Sequence, residues 1–151
     1  MTNLYAYLPA LLTFRPLLYG TLMWSVCIYA FLRGGREEKT AAIGAIVGAY
    51  LTFLTVGLLR IRYTQVELPL LLIDAGIFVL LLAIALRSKK FWPLWLTSFT
   101  GVELVSHLAP LMPKMLPETY YSAVALWGYP KLIVLAFGVA NHGRRQAARA
   151  D

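Results

Sequence analysis

One cysteine, two histidines and seven acidic residues are all that 151 positions offer to redox, metal or acid–base chemistry. Cys27 by itself excludes an internal disulfide and any thiolate-held cluster within one chain. No G-x-S-x-G, P-loop or zinc-protease signature occurs, so no catalytic residue is assigned and no cofactor is implied. Long polar linkers, low-complexity tracts and internal repeats are absent too, which leaves a single compact unit and gives no support to inverted-repeat transporter architecture.

What fills the chain instead is apolar: 60% hydrophobic residues and 14% charged, with mean hydropathy +0.67. Soluble domains average about 45–50% apolar and about 25% charged, so the expected solvent is a bilayer. Five runs approach the roughly 20 residues that a helix needs to cross a hydrocarbon core of about 30 Å. They are residues 16–32, 40–59, 68–86, 91–112 and 119–140. The expected fold is all-α, a bundle of five transmembrane helices. Residues 1–15, broken by Pro9, read as an interfacial segment, and 141–151 as a basic cytoplasmic tail that frays or extends the last helix. The first run lacks a basic region before it, Arg15 apart, and an A-x-A site after it, so it reads as a permanent helix rather than a signal peptide.

The net charge of +7 is set by basic residues lying in short clusters between the runs. On one side are Arg33, Arg36, Lys39, Arg87, Lys89, Lys90, Arg144, Arg145 and Arg149; opposite are Arg15, Arg60, Arg62 and Lys114. Nine against four orients the chain with its N-terminus outside and its C-terminus in the cytoplasm. That pattern explains the basic surplus as a topology signal, with attraction to anionic lipid as a secondary effect, and argues against nucleic acid as a partner.

Within the second run, Ala41, Gly44, Ala45, Gly48 and Thr52 fall at helical spacing on one side. Gly44 and Gly48 form a G-x-x-x-G, which lets another helix come close where lipid supplies no hydrophobic drive. The partner is either intramolecular or a second protomer.

Four ionisable residues lie inside the runs: Asp74, Glu103, His107 and Lys131. Each costs about 2.5–3.5 kcal/mol at a helix centre and therefore needs a partner, a cavity or an escape to the surface. At about 100° per residue, Trp92, Leu96, Thr100, Glu103 and His107 make one stripe of the fourth helix. Asp74, on the antiparallel third helix, is expected at the depth of Glu103. Two close carboxylates cannot both be ionised easily in low dielectric, so one holds a proton or is compensated by His107, Arg60 or Arg62. The cluster reads as helix-joining polar glue, as a proton or cation site, or as a hard-metal site lacking a second ligand pair. Lys131, after Pro130, is expected nearer the inner face as a snorkelling or cavity charge, with Pro130 kinking the helix. His107 and His142 lie at opposite ends and cannot share one haem iron. Phe91, Trp92, Trp95, Tyr120 and Tyr121 fit an interfacial aromatic belt.

The stretches "ALRSKKFWPLW" and "ALWGYPKLIVLAFG" resemble small multi-pass inner-membrane proteins of alphaproteobacteria that carry no assigned activity. The likeness runs from Leu68 to Gly138 and implies a bacterial inner-membrane location. It implies no catalytic residues. The expected role is a non-catalytic structural or accessory component of a homo-oligomer or larger membrane complex. The alternative is a small proton- or ion-coupled carrier or channel using Asp74, Glu103 and His107.

Overall fold

The computed structural model describes residues 4–59, 66–111 and 125–148, with side chains from residue 17 onward. Arg60, Arg62, Lys114, Tyr120, Tyr121, Arg149 and the side chain of Arg15 lie outside the described residues. The described residues form five long helices: α1 Leu4–Arg33, α2 Arg36–Leu59, α3 Leu68–Arg87, α4 Trp92–Ser106 and α5 Gly128–Ala147. A short 3₁₀ turn, Ala109–Leu111, follows α4. The described residues contain no strand.

Each helix packs on the next in chain order, and α5 closes the ring by packing on both α4 and α1. The α1–α2 and α3–α4 loops and the C-terminal end of α5 therefore gather at one end, called here the basic end. The centre there is made of small residues: Cys27, Ala30, Ala41 and Ala42 are essentially fully buried. The Cys27 thiol reaches the Ala42 carbonyl at 3.8 Å. Leu81, Trp92, Leu96, Leu132, Leu135 and Val139 complete the core.

Helices α2 and α3 are long and apolar enough to cross a membrane. Their most apolar windows are only 11% and 17% buried, whereas the core helix of a soluble protein is mostly buried. Phe53, Leu58, Leu72 and Leu86 point outward from them.

The other helices depart from the expected bounds for reasons that proline explains. Helix α1 begins at Leu4 and runs through Pro9 and Pro16, so residues 1–15 are not set apart by a break at Pro9. Each proline removes one helical hydrogen bond, a loss that helices in apolar surroundings absorb through local adjustment. Helix α4 stops at Ser106 after 15 residues, about 22 Å by helical rise. Pro110 has no N–H to give the Ser106 carbonyl, and the chain tightens into bonds from His107 to Leu104 and from Leu108 to Val105. Residues 119–124 lie outside the described residues; Ala125 and Leu126 are helical, Trp127 is a turn with right-handed helical backbone, and α5 runs on from Gly128. Pro130 has no N–H to give the Leu126 carbonyl, so the helical path is interrupted at Trp127, where a proline kink is expected. At the other end α5 continues to Ala147, so most of the basic tail extends the last helix.

The small-residue face of α2 packs within the chain. A Cβ on Gly44 would meet Leu80 of α3 at 2.9 Å, and one on Gly48 would meet Ile77 at 3.2 Å. Between α4 and α5 the closest approach is at Gly138, where an added Cβ would fall 2.7 Å from the Trp92 ring. Gly138→Ala is expected to cost about 1–3 kcal/mol as an overpacking change. Gly143→Ala, with nothing within 4 Å of the added carbon, should instead gain up to about 1 kcal/mol of helix propensity. Thermal unfolding of the two variants in one mild detergent checks both signs.

Candidate functional site

The buried stripe on α4 is the one its spacing predicts. Trp92, Leu96, Thr100, Glu103 and His107 are all 6% exposed or less. Thr97 and Thr100 bond back to the carbonyls of Pro93 and Leu96, four residues earlier, and so need no partner on another helix.

Glu103 and His107, one turn apart, serve different neighbours. His107 Nε2 lies 2.7 Å from Asp74 Oδ2 on α3. Its ring is fully buried, while the Asp74 side chain keeps 18% exposure. Lys131 Nζ, on α5, donates to Glu103 Oε2. The two carboxylates therefore do not have to share a proton with each other, because each has a basic partner. Lys131, expected nearer the basic end, instead lies level with Glu103 in the first turn of α5, away from that end. The early end of α4 has a matching effect, since His107 is the residue that terminates the helix and its side chain is held on α3.

Both pairs line one cavity of about 840 Å³, within the range of about 300–1,000 Å³ typical of small-molecule sites. Asp74, Glu103, His107 and Lys131 are joined there by Tyr19 and Tyr129. The two tyrosine rings meet edge to face, 5.6 Å between centroids. The apolar wall comes from Met23 on α1, Phe53 on α2, Ile77 and Leu81 on α3, and Leu135 on α5. Ala41, Gly44, Ala45, Gly48 and Thr52 line it as well, so the small side chains of α2 leave the space that the cavity occupies. Among the described residues no cluster of three or more His, Cys, Asp or Glu side chains is arranged to hold a metal ion.

A second polar cluster, at the basic end, has no counterpart in the sequence reading, which took Lys90 for a topology signal alone. Lys90 Nζ sits 2.7 Å from Glu38 Oε1 and 3.1 Å from Glu37 Oε2. Glu38 is fully buried, and its other oxygen accepts the Gly35 backbone N–H at 3.0 Å. Three residues separate them at the start of α2, which is the returning half of a capping box. The Ser88 hydroxyl donates to Glu37 at 2.9 Å and accepts the Lys90 N–H at 3.0 Å. Burial alone raises a carboxyl, but the Lys90 ammonium and the backbone bond outweigh it and hold Glu38 below the ordinary carboxylate value. The signal that could have found this cluster is the acidic pair of "REEK" on the same side as "RSKK". These residues latch two loops together and face away from the cavity's polar side.

No family model, curated protein or solved structure matches this chain. Any functional reading therefore rests on the geometry alone.

Proposed function

We propose that this chain is a small proton-coupled carrier of a bacterial inner membrane, threaded five times with its N-terminus outside and its C-terminus in the cytoplasm. The observation that carries the reading is the cavity: two acid–base pairs, drawn from three helices, open into one large, mainly apolar space. Ion pairs that only glue helices together have no need of such a space. Protonating Glu103 cancels the carboxylate and releases the charge of Lys131 toward the cavity. An anionic group on a solute with an apolar body can then replace the lost carboxylate, so that proton and solute enter together without net charge.

The orientation follows from the nine-against-four distribution of basic residues. The poor burial of α2 and α3 supports a bilayer as the surrounding solvent. An accessory role through self-association has less to recommend it, because Gly44 and Gly48 are occupied by Leu80 and Ile77 of the same chain.

The test is dissipation of an imposed pH gradient in vesicles containing the full chain and a pH-sensitive dye, with toluenesulfonate supplied as an anionic probe that has an apolar body and does not cross a bare bilayer. The wild type should collapse the gradient faster than protein-free vesicles, and Asp74→Asn and Glu103→Gln should each return the rate to that background. Variants that insert normally and conduct as the wild type does would remove the proposal.

A further inference from the structure

On the opposite side of α4 from the cavity, a groove of about 410 Å³ runs between α4 and α5. Its walls are Trp95, Phe99, Ile133 and Phe137, and Trp95, Ile133 and Phe137 are each more than half exposed. Phe91, Trp95 and Phe99 succeed one another up α4 with centroids 6.1 and 6.2 Å apart. Phe99 then stacks on Trp127 at 6.1 Å, which closes the far end of the row. The near end, at the basic end of the bundle, is lined by Lys90, Asn141, His142 and Arg145.

We infer that this groove is a binding site for one anionic phospholipid of the cytoplasmic leaflet, its phosphate at Arg145 and His142 and one acyl chain laid against Trp95 and Phe99. Two observations select that occupant. The first is length: eight residues from Phe91 to Phe99 rise about 12 Å, close to one leaflet's half of a hydrocarbon core of about 30 Å. A ligand lying in one leaflet fits that span, and Trp127 stops it from running further.

The second is charge. Lys90 is neutralised by Glu37 and Glu38, whereas Arg145 has no carboxylate partner among the described residues and is exposed. Arg145 is therefore the cation of this end left to meet a headgroup phosphate. The inference depends on the chain lying in a bilayer but is independent of any transport by the cavity.

The full chain, carrying Trp24→Phe and Trp127→Phe so that Trp92 and Trp95 report, is reconstituted in phosphatidylcholine vesicles containing either brominated phosphatidylglycerol or brominated phosphatidylcholine. Tryptophan quenching then gives the relative affinity of the two lipids. Preference for the anionic lipid should be about fivefold, the effect of one cation near an anionic headgroup. Arg145→Gln should abolish that preference, and Arg144→Gln, one position outside the groove lining, should leave it intact. Millimolar inorganic phosphate should not displace the lipid. Equal quenching by both lipids, identical behaviour of the two arginine variants, or displacement by phosphate would each overturn the site.

Discussion

Lys131→Met is expected to cost about 3–5 kcal/mol of stability, because it strands the Glu103 carboxylate in a buried site. The Glu103 side chain is 8% exposed and its partner is the ammonium of Lys131. Removing the cation leaves two outcomes, an unpaired buried charge or a proton taken up from solution, and both are unfavourable at neutral pH. Neutralising the acid as well should reverse most of the loss, since a Glu103→Gln, Lys131→Met double variant buries no charge. Unfolding followed by tryptophan fluorescence in mild detergent supplies the comparison. A single variant as stable as the wild type, or a double variant worse than the single, would show that the pair does not bear charge in the way described. The outcome also bears on the proposed carrier, because a pair that can be neutralised without loss of fold is one that can cycle.

Lys90→Met should have an effect of the same order, about 3–5 kcal/mol, by the same reasoning at the other end of the bundle. It leaves Glu38 without its Lys90 partner and with no exposure to water. The Gly35 N–H remains as a hydrogen-bond donor to the carboxylate. Acid should reproduce part of this loss in the unaltered protein. The Glu38 pKa is lowered on folding, so its contribution is complete above the unfolded value near 4.5 and disappears as pH falls through the folded value. Glu38→Gln should flatten that acid limb while lowering stability at neutral pH. Stability that declines with acid to the same degree in the variant would assign the decline to other carboxylates.

The two clusters differ in how far they could be read in advance. For Asp74, Glu103 and His107 the reasoning was local: an acid or imidazole among apolar neighbours demands a partner, and helical periodicity puts Glu103 and His107 on one stripe. That stripe is buried as its spacing requires. Which side chain answers which was not local, because it depends on where α4 stops and α5 begins. Pro110 ends α4 at Ser106, and the break before Gly128 sets Lys131 in the first turn of α5, level with Glu103. Tyr19 escaped notice because a tyrosine near a helix end looks like any interfacial aromatic until Tyr129 is placed against it.

The Glu37, Glu38 and Lys90 latch escaped for a related reason. Loops on one side of a bundle can be assigned to that side by counting charges, but only packing decides that the α1–α2 and α3–α4 loops touch. The Gly44 and Gly48 face lies between these cases. A close approach was evident from residue size, whereas its partner, α3, was decided by the order of helices around the ring.

Composition and periodicity determined an all-helical chain with an apolar exterior and dictated which side of each helix is small or polar. These properties belong to single helices, whose hydrogen bonds close on themselves and whose side chains repeat every 3.6 residues. Only the tertiary structure decided that acids meet bases and not each other, and that a cavity remains beside them, since both depend on helix ends and neighbours separated by tens of residues along the chain.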